Sequence, residues 1–161
     1  MHALYRLSAA TLVLTQIAAS TAWAADPSPP PPPPTAAPAP ASPLATARAQ
    51  VKAKNWSAAI DELRRLNATG NADWNNLMGY ALRKQATPDL DGAQRFYDAA
   101  LRLNPQHRGA LEYSGELALI KGDLPAAEAR LTVLTRACST GCEELDDLQK
   151  AVSRFKATGK P

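Results

Sequence analysis

The sequence predicts an all-α fold: about three stacked helix pairs closed by a further helix and preceded by a proline-rich arm. Two observations carry that prediction. Residue types recur at a spacing of thirty-four between Asn55 and Leu134, and a repeat of that length is one supersecondary unit that buries its apolar faces only by stacking on neighbours. Within each unit the apolar residues fall three and four positions apart, which marks one face of a helix.

The chain begins MHALYRLSAATLVLTQIAASTAWA, with Arg6 ahead of a mostly apolar stretch from Leu7 to Ala19 and Ala22-Trp23-Ala24 before Ala25. Residues 1–24 are therefore expected to be a signal peptide with an A-x-A cleavage site. Ser8, Thr11, Thr15 and Gln16 interrupt the stretch, which falls short of the ~20 apolar residues that span a bilayer. No cysteine adjoins the cut, so a lipid anchor is disfavoured. The expected mature protein is exported, periplasmic or secreted, without stable membrane insertion.

Residues 25–43 are expected to be a disordered linker. Ten of the eighteen residues in DPSPPPPPPTAAPAPASP, Asp26 to Pro43, are proline. Proline fixes φ and lacks a backbone donor, so the segment favours extended polyproline II with a reach of roughly 55 Å. A spacer is the favoured reading; a docking motif for a proline-binding groove is the alternative.

The remaining chain is the size of one domain. Eighteen basic and fifteen acidic residues give a formal net charge of +3 with no basic block, so nucleic acid is not an expected partner. NWSAAIDELRRL, DLDGAQRFYDAAL and DLPAAEARLTVL superimpose at the repeat spacing. Trp56, Leu90 and Leu124 correspond, as do Ala59, Ala93 and Ala127, then Leu63, Tyr97 and Leu131, then Leu66, Ala100 and Leu134. Asn55, Asp89 and Asp123 precede the three runs as expected N-caps.

Upstream partner helices are expected over Ala72–Gln85 and Arg108–Gly122, each with a central glycine, Gly79 and Gly115. Glycine costs ~1 kcal/mol against alanine inside a helix, so its recurrence implies close approach of a neighbour. Pro105 closes one unit. KQATPDLDGA carries two extra turn residues, expected to bulge at Thr87-Pro88.

These residues resemble the tetratricopeptide repeat family. Its pattern of small residue, small residue, aromatic, alanine and proline is matched by Gly79, Ala93, Tyr97, Ala100 and Pro105, and in the next unit by Gly115, Ala127, Leu131 and Leu134. The chain is also similar to small exported repeat proteins of Gram-negative bacteria with a C-terminal cysteine pair. The resemblance implies a right-handed α-solenoid with units near 44–69, 70–105 and 106–138, a capping helix over 141–157 and a tail over 158–161. It implies a concave groove lined by Asn76, Tyr80, Arg83 and Lys84, then by Glu112, Glu116, Leu119 and Ile120. Such a groove binds a protein or peptide segment, as an adaptor or scaffold would. Arg83 and Lys84 could hold a peptide carboxylate; alternatively Arg83 and Glu116 pair across neighbouring helices.

In the capping segment Leu145, Leu148, Val152 and Phe155 share a face, acids crowd its start and bases its end, as the helix macrodipole favours. An acidic docking patch is the sharper reading of the same charges. Thr140 and Glu143 have capping-box spacing.

No catalytic pattern is present: no G-x-S-x-G, no H-E-x-x-H and no glycine-rich phosphate loop. His107 reads as a solvated turn residue rather than a base. No enzyme and no cofactor are therefore expected. Trp56, Trp74, Phe96, Tyr97, Tyr113 and Phe155 fall mainly at core spacings, so stacking on nucleic acid is a poor reading. Cys138 and Cys142 stand at the junction of the last repeat helix and the cap. Two cysteines and, beyond the expected cut, one remote histidine are too few for a tetrahedral metal site, and C-x-x-C-H is absent. An exported chain with an even cysteine count favours a structural disulfide; a thiol-redox or assembly role for the pair is the alternative.

Overall fold

The computed structural model describes residues 42–161. The expected signal peptide, and the linker as far as Ala41, lie outside the described residues. Among those described there are seven helices and no strand: α1 (Ala45–Lys52), α2 (Trp56–Leu66), α3 (Ala72–Lys84), α4 (Leu90–Leu103), α5 (Arg108–Ile120), α6 (Leu124–Ala137) and α7 (Glu143–Thr158).

Helix starts follow local chemistry, with two corrections to the expected caps. Asp89 accepts from the Gly92 amide at 2.7 Å and Asp123 from the Ala126 amide at 3.0 Å, satisfying first-turn donors. Asn55 holds the equivalent position but makes no cap bond. Its side chain instead donates to Gln50 Oε1 at 3.0 Å, so a local amide partner competes with the helix end. The expected Thr140–Glu143 capping box does not form either. Cys142, not Thr140, occupies the N-cap of α7, without a side-chain cap bond.

The two-residue insertion is absorbed at the turn. The Asn55 amide donates to Gln50 O and the Asp123 amide to Ala118 O, each five residues back, whereas the Asp89 amide donates to Leu82 O, seven back. All three turns thus keep the same closing bond, and the longer one spreads its extra residues over an exposed stretch.

Each helix packs on the next, while α1 on α3, α3 on α5 and α5 on α7 form a continuous second set of contacts. The helices α2, α4 and α6 do not touch one another in this way. The odd-numbered helices therefore form one row and the even-numbered helices flank it, a helical repeat-like fold. Ala59, Ala93 and Ala127 are fully buried, as are Leu63, Tyr97, Ala100 and Leu134. Only small side chains allow such close crossings.

The glycines face different neighbours. A Cβ on Gly79 would lie 2.8 Å from the Tyr97 ring and 3.1 Å from Ala93 O, both on its paired helix α4. A Cβ on Gly115 would lie 2.7 Å from Leu148 Cδ1, on α7. In the last unit it is the closing helix that fills the notch. Burying Leu148 completely favours its docking by roughly 2 kcal/mol. Lys156 also reaches Glu128 at 2.6 Å, tying the end of α7 to α6.

Candidate functional site

The row of odd helices carries two adjoining cavities, of about 320 Å³ and 470 Å³. They share Arg83 and Lys84 of α3, Glu116 of α5 and Asp147 of α7. The smaller adds Tyr80, Glu112, Tyr113, Glu143 and Glu144. The larger adds Leu119, Ile120 and Ala151 as apolar lining, with Lys150, Arg154 and Pro161.

Helical spacing explains the gathering. Tyr80, Arg83 and Lys84 lie three and four apart on α3, as do Glu112, Glu116, Leu119 and Ile120 on α5, so each set shares a face. Packing α3 on α5 then sets residues about one repeat apart against each other. Arg83 Nη2 donates to Glu116 Oε2 at 2.7 Å, and the Arg83 side chain is only 4 % exposed. Its guanidinium carbon stands 5.6 Å from the Tyr80 ring centre and 5.5 Å from that of Tyr113, within cation–π range. Burial lowers the affinity of Arg83 for its proton, but Tyr97, Glu116 and Tyr80 outweigh it and hold the pKa above the ordinary arginine value.

Of the expected groove residues, Tyr80, Arg83, Lys84, Glu112, Glu116, Leu119 and Ile120 meet around these cavities. Asn76 does not line them. It is buried beside the start of α5, where a Cβ on Gly109 would lie 2.9 Å from Asn76 Nδ2. Arg83 is a cross-helix clasp with Glu116 rather than a free carboxylate ligand. Lys84 is exposed, 5.7 Å from the Tyr80 ring centre.

Glu112 has the opposite environment. It is 8 % exposed, and no cation lies within salt-bridge distance of it among the described residues. Burial pushes its carboxyl up to about 8, reinforced by Glu116, Asp147 and Glu144 and opposed by Arg83. Burial likewise raises Tyr80 and Tyr113 above the ordinary phenol value. Glu112 is thereby held protonated near neutrality, and both phenols stay neutral.

One contribution was missed in the sequence and another was read only as an alternative. Tyr113, read there as a core aromatic, is half-buried in the cavity wall with its ring centre 4.5 Å from that of Tyr80. The acids of α7, read as answering its macrodipole with an acidic docking patch as the alternative, also rim the cavity. The thirty-three-residue spacing of Tyr80 and Tyr113 was the available signal for the first.

His107 is likewise not a solvated turn residue. Its side chain is 12 % exposed, its Nδ1 accepts from the Ala110 amide at 3.1 Å, and its Nε2 lies 2.9 Å from Asp73 Oδ1. The cap reserves Nδ1 as an acceptor, so Nε2 carries the proton that Asp73 accepts. Asp73 also pairs with Arg48, so this residue of α3 links α1 to α5. Burial pushes the Asp73 carboxyl up, but His107 and Arg48 outweigh it and leave it below the ordinary aspartate value.

Cys138 at the end of α6 and Cys142 at the start of α7 are at disulfide distance, with S–S 2.11 Å. Cys138 is buried and Cys142 half-buried. Glu144 lies near them, all three donor atoms falling within 4.8 Å of one another, but sulfurs bonded to each other are not thiolate ligands. No described helix is long and apolar enough to cross a membrane.

No protein-family model matches the chain, and neither does any curated protein.

Proposed function

We propose that this chain is an exported, non-enzymatic binding module of the tetratricopeptide repeat kind. Its helix pairs form a right-handed solenoid whose concave groove takes a peptide or protein segment, and its role is that of a periplasmic adaptor or scaffold. The signal peptide delivers it, and the proline-rich segment serves as a spacer.

One observation carries the reading: the row of odd helices presents two joined cavities whose walls are prearranged before any partner arrives. The Tyr80–Arg83–Tyr113 stack fixes one wall, so little side-chain entropy remains to be lost there on binding. Arg83 and Glu116 are already paired, which favours a segment of mixed character over a dedicated clamp for a terminal carboxylate.

The test is a photo-crosslinking amino acid placed at Ile120, 43 % exposed beside the groove, or at Leu103, 49 % exposed on a flanking helix. Capture of a partner at Ile120 and not at Leu103, in the native compartment, is the expected result. The reverse pattern sinks the groove reading. Sequencing the mature amino terminus tests export: it is expected at Ala25, and an intact Met1 in the accumulated protein refutes it.

The thiol-redox alternative is disfavoured by the burial of Cys138, which impedes attack on that sulfur. A bridge closing so short a loop stabilises by only ~2 kcal/mol in the chain-entropy treatment. Its larger effect is to fix how α7, and therefore its carboxylates, meets the groove.

A further inference from the structure

We propose that the acidic half of the groove is a subsite for the cationic side chain of a lysine or arginine in a basic peptide segment. The cation sits between the Glu112 carboxylate and the rings of Tyr80 and Tyr113. The proposal rests on the groove reading above and narrows it to a partner chemistry.

Glu112 carries the argument. The residue is more than nine-tenths buried, lines the smaller cavity and has no cation within salt-bridge distance among the described residues. Buried carboxylates are normally paired, because removing one from water without compensation is costly. The nearest cation of the wall, Arg83, is committed to Glu116 at 2.7 Å. Around the opening, α7 adds Glu143, Glu144 and Asp147, giving five lining carboxylates against Arg83 and Lys84. The wall therefore leaves no cation for an ionised Glu112, and an incoming one takes that place.

The walls suit a cation on an aliphatic stem. Tyr80 and Tyr113 already accept the Arg83 guanidinium at cation–π distance. The adjoining cavity offers Leu119, Ile120 and Ala151 to a methylene chain, along which lysine and arginine bury their stems. The chain's own linker cannot fill the subsite, because residues 25–43 contain no lysine or arginine.

Protonation gives the subsite a signature. Facing Glu112 are Tyr113 and Glu116 from its own helix, Tyr80, Arg83 and Lys84 from α3, and Glu143, Glu144 and Asp147 from α7. Tyr97 of α4 is wholly buried, and α6 adds no lining residue. Burial and the neighbouring carboxylates keep Glu112 protonated up to about 8. A bound cation must expel that proton, so affinity rises with pH below 8 by at most about tenfold per unit and levels off above it.

The test is an NMR titration of the full chain with a short capped alanine–lysine peptide, its alanine–glutamate counterpart and spermidine. The lysine peptide is expected to move resonances of 112–116 and 143–147 and to bind more tightly as pH rises from 6 to 8. Glu112→Gln, with helical circular dichroism retained, should weaken binding about tenfold at pH 8 and abolish the pH slope. Asp91→Asn, on the flanking α4, should change neither.

Unchanged affinity in Glu112→Gln, or preference for the glutamate peptide, overturns the proposal. Tighter binding of spermidine than of the lysine peptide overturns the assignment to a peptide side chain. The same shifts appearing on self-association without peptide would assign the subsite to a second copy and also overturn it. If the lysine peptide fails while Ile120 still crosslinks a partner, only the cation preference falls. If Ile120 captures nothing, the groove reading itself falls.

Discussion

Gly115 of α5 is packed by Leu148 of α7, with a Cβ there falling 2.7 Å from Leu148 Cδ1. Alanine would gain ~1 kcal/mol of helix propensity at either central glycine, but overpacking a filled site costs typically 1–3 kcal/mol. The two sites differ in what must yield. At Gly115 a leucine methyl shifts, whereas at Gly79 a Tyr97 ring edge and the Ala93 carbonyl stand in the way. Gly115→Ala is expected to destabilise by about 1 kcal/mol and Gly79→Ala by about 2 kcal/mol or more. Urea midpoints measure the order, and equal stability of Gly79→Ala and wild type contradicts it.

Lys54 is the second expected weak point. It adopts φ 59° where Gly122, two repeat lengths later, adopts φ 79°. A side chain in the left-handed region costs roughly 1 kcal/mol. Lys54→Gly is therefore expected to raise stability by about 0.5–1 kcal/mol, while Gly122→Lys lowers it by a similar amount. A lower melting temperature for Lys54→Gly rules the argument out.

The pH dependence of stability has a definite sign at Glu112. Its folded-state value, about 8, lies above the ordinary 4.5. Between those values the folded state binds more protons than the unfolded one, so this group makes stability fall as pH rises through the window. The loss is complete above about 8 and absent below 4.5. Glu112→Gln should remove that contribution, so the variant gains on wild type as pH goes from 5 to 9. Parallel melting curves across the range would refute the buried-carboxylate picture.

His107 combines a cap for α5 with a bond to Asp73 of α3. His107→Ala loses both and is expected to cost about 1–2 kcal/mol. His107→Asn restores a capping acceptor and should recover roughly half of that loss. An asparagine variant no better than alanine would show that the Asp73 contact, rather than the cap, dominates.

The thirty-four-residue recurrence was legible because each unit repeats one local problem, a helix whose alanine and leucine face needs a neighbour. The helices and buried positions such as Ala59, Ala93 and Ala127 could be read from spacing alone. The pairing of Arg83 with Glu116 was one of two alternatives that the family resemblance offered. The caps were legible where an acid had no competitor, at Asp89 and Asp123, and not at Asn55, where Gln50 takes the side chain. The cysteine pair was legible as a junction, though not its half-buried setting.

What the sequence determined by itself is periodic: the all-helical class, the faces that bury, and the place of two extra residues in one turn. Only the tertiary structure decided what meets across the stack. It turned Gly115 toward Leu148, raised Tyr113 from core filler to cavity wall, buried Asn76 and brought the acids of α7 to the cavity that Glu112 lines. Those outcomes depend on where α7 docks. That docking joins segments distant in sequence, and its geometry is set by how their side chains fit together rather than by spacing along either helix.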